Sequence, residues 1–171
     1  MPKPLPGTFP TYFENYINQV KELDLKEAFK NQQEIINHYF DHIPEDKTNT
    51  GYETGKWSLK ELLQHIIDTE RIFNYRALAF ARKEQKSLPG FDENEYAVNS
   101  NANARSWASL CEEMKAVRKA TEIMYESFSD EVLNNTGLAN NNSTSVLAMG
   151  FINVGHLNHH IRIIEERYLK I

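Results

Sequence analysis

The chain has 171 residues, a formal net charge of −5 and a single cysteine, Cys111. That length can bury about 70% of the unfolded surface in one core, one cysteine excludes an intrachain disulfide framework, and scattered Lys and Arg argue against a nucleic-acid partner. The densest apolar piece, Ala77–Ala81, is far too short to span a bilayer, and Met1–Gly7 has no signal-peptide core, so the expectation is one domain over residues 1–171, cytoplasmic, with no membrane partner.

Residues 1–23 read as a proline-rich extended arm and a short helix, with Thr11 and Glu14 spaced as a capping box ahead of Phe13, Tyr16, Ile17 and Val20. A second start follows at Asp24 with Glu27. Leu25, Ala28, Phe29, Gln32, Ile35, Ile36, Tyr39, Phe40 and Ile43 then recur at helical spacing until Pro44 stops the run. Residues 45–56 are polar and contain Gly51 and Gly55, which predicts a loop. Ser58 and Glu61 form a capping box for the second bundle helix, with Trp57 placed to staple onto Leu62, and apolar positions continue through Phe80.

Residues 84–103, with Pro89-Gly90 and many Asn, predict a long connection. The third helix has a seam of Trp107, Leu110, Met114, Val117, Thr121, Met124 and Phe128, three and four apart. Residues 129–143 predict another loop, ending in Asn140-Asn141-Asn142-Ser143, and the fourth helix runs from about Thr144 to Leu169. No stretch reads as a strand. The expected fold is an all-α four-helix bundle with a short extra N-terminal helix.

Position sorts the six histidines. His156 and His160 lie one turn apart on one face. The apolar stripe of the last helix centres near Leu157 and Ile164, which turns both rings inward and His159 outward, toward Arg162 and Glu166. His38 and His42 repeat the spacing but fall off the apolar stripe of their helix and read as solvated.

His65 lies at the edge of an apolar face, ~10 Å from the start of its helix, whereas His156 and His160 lie ~13–20 Å from the end of theirs. Antiparallel second and fourth helices would bring the three rings to one height; parallel ones would leave His65 ~10 Å short. An antiparallel pair fits an up-down-down-up bundle, and the connection between the second and third helices is long enough for the overhead crossing. One inward histidine is an ordinary hydrogen-bonded core residue; two on adjacent turns with a third at their height point to a metal site. Neutral imidazoles suit zinc, nickel or iron. Three nitrogens leave a coordination position open for water or substrate.

Lys56-Trp57-Ser58-Leu59-Lys60-Glu61-Leu62-Leu63-Gln64-His65 and Gly155-His156-Leu157-Asn158-His159-His160 together resemble the DinB (DinB/YfiT-like) superfamily of metal-dependent enzymes, over about residues 24–169. The shared pattern is a tryptophan-led helix bearing one histidine and a last helix bearing H-x-x-x-H. The resemblance implies an up-down-down-up bundle, often a homodimer. It also implies a divalent metal, most commonly Zn2+ or Ni2+ with Fe2+ or Mn2+ as further candidates, held by the positions of His65, His156 and His160. Relatives of this kind include hydrolases, and transferases and isomerases that use low-molecular-weight thiols.

Three further residues are candidates for catalytic roles. Asp68, with Thr69, follows His65 by about a turn and could hydrogen-bond a ligand imidazole, although a surface Asp beside a packed Thr is the plainer reading. Glu70 falls on the apolar side of its helix, where Arg118 or Arg167 could neutralise it; a buried structural pair is favoured over a general base. Arg167 shares the face of His160 and could hold a substrate carboxylate, packing being the plainer role. Phe91–Tyr96 could roof a pocket or form a solvated acidic turn. Cys111 flanks the third seam away from any histidine and reads as inert, and Met114, Met124 and Met149 lie at core spacing. A di-iron bundle would need Glu-x-x-His on two helices and a zincin His-Glu-x-x-His, and neither motif is present.

The resulting expectation is a metal-dependent enzyme on a small-molecule substrate, transferring a thiol or hydrolysing a bond. The competing readings are a non-catalytic metal-binding or dimerisation bundle, and histidines with a purely structural role.

Overall fold

The computed structural model describes residues 2–170. Residues 2–23 fold onto the bundle. Thr11–Phe13 form a 3-10 turn that leads into α1, Glu14–Asn18. Thr11 is not a cap: Pro10 takes the N-cap place in extended geometry, and no side-chain capping bond forms. The segment is tied down because Ser145 N donates to Thr8 O at 2.9 Å and Lys3 Nζ donates to Val20 O. Phe13, Ile17 and Val20 are buried.

Asp24 caps α2, Leu25–His38, by accepting from the amides of Lys26 and Glu27. The helix stops short of Ile43, the end expected from periodicity, and Phe40–His42 continue as a 3-10 turn. The cause is Pro44, which has no N–H to give the Phe40 carbonyl. That carbonyl instead accepts from Ile43 N at 3.1 Å and from the Trp107 indole at 2.9 Å.

The expected capping box opens α3, Leu59–Ala81: Ser58 and Glu61 each accept the other's amide. The connection after α3 is not structureless. Asp92 caps a short helix, α4, Glu93–Asn99, so the acidic run forms a helix start, where negative charge is stabilised. The connection is fastened by Leu88 N to Leu138 O and Asn140 N to Leu88 O, both 2.8 Å, and by Ser58 Oγ to Asn103 Oδ1 at 2.6 Å.

The seam of the third bundle helix becomes α5, Trp107–Glu126, followed by a single turn, α6, Asp130–Leu133. The expected strand-free loop then contains a hairpin of β1, Thr136–Ala139, and β2, Asn142–Ser145, antiparallel with Thr136 opposite Ser145. Asn140 and Asn141 both have positive φ, 48° and 60°, as a two-residue hairpin turn requires. Ser145 caps α7, Val146–Ile163, and Ile164–Leu169 continue it with π-helical winding. Among the described residues, no helix is long and apolar enough to cross a membrane.

Pairings between helices fix their directions. Leu25 sits against Gly150, and Gln32 meets Val154 and Asn158, so α2 and α7 run parallel. The Tyr168 hydroxyl reaches Trp57 O, His65 faces His156, and Asn153 donates to Asn74, so α3 opposes α7. Arg105 reaches Gln64, Arg118 reaches Glu70 and Thr121 accepts from Asn74, so α5 parallels α3. The result is the up-down-down-up bundle expected.

A buried polar belt separates two apolar clusters along the bundle. Arg118 donates from Nε and Nη2 to the two carboxylate oxygens of Glu70, at 2.9 and 2.8 Å, and from Nη1 to Gln32 Oε1. Thr121 also donates to Glu70, and Gln32 donates to Val154 O and Asn158 Oδ1. Each of the four long helices contributes, so every buried polar group in the belt has a partner from another helix.

Candidate metal centre

His65 projects from the second turn of α3 and His156 and His160 from the later turns of α7. The antiparallel packing of these helices brings the rings together. His156 Nε2 lies 3.2 Å from His65 Nε2 and 3.0 Å from His160 Nε2. One nitrogen from each ring falls within 4.8 Å of the other two. His156 and His160 are buried and His65 is half-buried. Burial pushes the His65 pKa down to about 4. Burial, reinforced by the neighbouring imidazoles, pushes His156 and His160 well below the ordinary histidine value. All three are therefore neutral at pH 7 and carry lone pairs.

Hydrogen bonding among the rings alone leaves this cluster poorly satisfied. A neutral imidazole has one N–H, and the single in-plane site at His156 Nε2 cannot serve two neighbours well. His160 Nδ1 is buried without any partner. A divalent cation at the point of convergence would accept all three lone pairs. Zn–N bonds of ~2.0–2.1 Å in a tetrahedral site place ligand nitrogens ~3.3 Å apart, close to the separations of His156 Nε2 from its two neighbours. The residues present fit a metal site of three histidine ligands.

The rings are held by aromatic neighbours. Trp57 packs on His65 with centroids 4.9 Å apart, and Phe73 meets His156 edge-on at 5.9 Å. Tyr16, from α1, meets His156 at 5.5 Å and His159 at 5.4 Å. His159 does leave the bundle interior as its spacing predicts, but α1 covers it and leaves it half-buried. The triad opens into a cavity of about 440 Å³. Its walls come from the N-terminal segment (Tyr12, Phe13, Tyr16), α3 (Thr69, Phe73, Arg76), the connection (Phe91, Glu93) and the hairpin (Asn140, Thr144). Thr69 Oγ1 is buried on this wall without a hydrogen-bond partner.

The other sequence candidates lie elsewhere. Asp68 does not line the cavity; it accepts from Gln64 at 2.9 Å, and desolvation raises its pKa. Glu70 is locked to Arg118, its side chain 2% exposed. Arg167 is exposed beside Tyr52, 5.5 Å from that ring, in a surface depression apart from the triad. The π-helical winding after Ile163 breaks the α-helical spacing that would have set Arg167 over His160. His38 and His42 are exposed as expected. Cys111 is buried, and burial pushes its thiol up to about 12. Phe91 and Glu93 do reach the cavity wall, whereas Tyr96 stays exposed.

Sequence reasoning missed the N-terminal aromatics and Arg76. Gly155 carried a signal for the first: a side chain there would collide with the Tyr16 carbonyl, so the helix surface beside His156 is kept bare for another backbone. The signal for Arg76 was its place one turn beyond Phe73, on the stripe that starts at His65 and Thr69.

The fold resembles that of YfiT from Bacillus subtilis, with a TM-score of 0.73 and 14% identity over 96% of this chain and 90% of that one. YfiT is described as a probable metal-dependent hydrolase with an unusual four-helix bundle topology. No curated protein matches the chain at a significant level. The family model of the DinB superfamily matches residues 28–164, which include all four long helices nearly complete and all three triad histidines. On that match, the chain belongs to the DinB superfamily.

Proposed function

We propose that the protein is a metal-dependent enzyme acting on a small molecule, of hydrolase or thiol S-transferase type, with His65, His156 and His160 as the metal ligands. The observation that carries this reading is the convergence of three imidazole nitrogens on the wall of a cavity. A divalent ion there, zinc or nickel foremost and iron or manganese as alternatives, would supply Lewis acidity and a nucleophile, water or thiol, activated near neutral pH.

The chain supplies the rest. Trp57, Tyr16 and Phe73 pack against the rings of His65 and His156, and the aromatic part of the wall receives the apolar part of a substrate. The free Thr69 hydroxyl, one turn from His65, is placed to orient a polar atom of substrate or nucleophile. No carboxylate in the belt is available as a proton acceptor, because Glu70 is fully engaged. The description of YfiT supports the hydrolase branch. The family resemblance supports the thiol branch and a homodimeric assembly.

Untagged protein should retain close to one equivalent of a transition metal, and the His160→Ala variant should retain almost none, by elemental analysis. Thiol conjugation and ester or amide hydrolysis should be screened on both. Activity that survives His160→Ala would be chemistry of another site. Wild type that stays below a tenth of an equivalent after metal addition would sink the metal reading.

A further inference from the structure

The cavity holds a charge that neither the triad nor the fold accounts for. Arg76 is 7% exposed and lines the cavity wall. A buried guanidinium normally sits against a carboxylate, as Arg118 does against Glu70 in the belt. Among the described residues, Arg76 has no ion pair. Nη2 donates to Pro89 O at 2.9 Å, and its other nitrogens have no hydrogen-bond partner. Two aromatic rings sandwich the group loosely, Phe73 at 5.9 Å and Phe91 at 6.0 Å. Among the described residues, Glu93 is the one carboxylate on the cavity wall; it is exposed and forms no ion pair with Arg76.

Placement adds a second constraint. His65, Thr69, Phe73 and Arg76 occupy successive turns of α3, ~16 Å from first to last along the axis. The Phe73 ring lies 5.9 Å from the His156 ring and 5.9 Å from the guanidinium carbon. One phenyl ring therefore touches the triad at one end and the cation at the other. The wall between them carries the Phe13, Tyr16 and Phe73 rings beside the Thr69 hydroxyl. Among the described residues, Arg76 is the only lysine or arginine on that wall. The planar fork of N–H donors fits a carboxylate or a phosphate, but one positive charge balances one carboxylate and leaves a doubly charged phosphate half uncompensated.

The structure assigns to Arg76 the role of a carboxylate-binding subsite: the ligand of this cavity is a small molecule with an apolar or aromatic body and one carboxylate, which pairs with Arg76 while its other end faces the triad. This deepens the function proposed above and rests on it only for which end of the ligand reacts. Occupation would give the guanidinium the counter-charge it lacks, where protein wall replaces part of the surrounding water, so the anion is favoured over a neutral analogue.

Hydrocinnamate and its neutral amide, hydrocinnamamide, share shape and differ in charge, and both are small enough for the cavity. Calorimetric titration of wild-type protein, metal-free and zinc-loaded, should show the acid binding about tenfold or more tighter than the amide. Arg76→Gln should remove that preference, weakening the acid far more than the amide, and Arg76→Lys should keep part of it. Equal binding of acid and amide by wild type, a preference that survives Arg76→Gln, or no acid binding at millimolar concentration would overturn the assignment. If Arg76→Gln does not fold, the acid–amide comparison in wild type and Arg76→Lys decides. Zinc titration of the same samples reads the triad separately. Zinc binding without acid preference would remove the subsite alone, and acid preference without zinc binding would remove the metal reading alone.

Discussion

Glu113 shows how the surface of this bundle is tuned one residue at a time. Its carboxylate accepts from Arg71 at 2.5 Å and from Arg105. Partial burial raises its pKa, but hydrogen bonds and charge from the two arginines outweigh that and leave it below the usual carboxylate range. A carboxylate with a depressed folded-state pKa stabilises the fold above its unfolded pKa, and that stabilisation fades as pH falls through the lower folded value. Glu113→Gln should therefore lower stability at pH 7 by no more than about 1 kcal/mol, because the group is partly solvated. It should also flatten the acid limb of stability between about pH 5 and the acid extreme. Urea denaturation across that range checks this; an unchanged acid limb would mean that the arginines leave the folded-state carboxyl untouched.

At the scale of elements, the long helices were legible because apolar positions recur at 3.6-residue spacing, with clear caps at Asp24 and Ser58. The hairpin was not. Its strands are four residues each and show no clean alternation of buried and exposed positions, and its turn is Asn-Asn rather than the more telling Asn-Gly. The N-terminal segment was legible as a helix but not as a wall of the site, since nothing in Tyr12, Phe13 or Tyr16 names the surface it covers. That surface is marked instead by Gly155 on the distant α7. Gly155→Ala should force α1 away from α7, destabilising the protein by about 1–3 kcal/mol, as overpacking does. Tyr16 would move off His156, so the chief readout is local: amides of residues 12–20 should exchange faster with solvent while those of α5 keep their protection. Unchanged exchange in α1 would mean that the helix pair yields without separating.

At the scale of the whole molecule, the triad depends on topology more than on local sequence. His156 and His160 were readable as a pair from their spacing, but His65 joins them only if α3 opposes α7, and that direction follows from the long crossing between α3 and α5. Spacing could have placed Arg76 on the face of His65, but not its lack of an ion pair, because being unpaired is a property of the assembled walls. The same topology makes the site a clasp: its ligands come from α3 and α7, 91 residues apart in sequence in the case of His65 and His156. An ion bound there closes that loop only in the folded state, so binding free energy adds to folding free energy. At a hundredfold excess over the dissociation constant the gain is about 2.7 kcal/mol, or roughly 5–10 °C in Tm for a chain of this length. Differential scanning calorimetry should show that rise when zinc is added to metal-free wild type, its reversal by a chelator, and its absence in His160→Ala. His38→Ala should keep the full rise, because its imidazole is exposed and lies outside the triad. A zinc shift of equal size in His160→Ala would place the ion somewhere other than between these two helices.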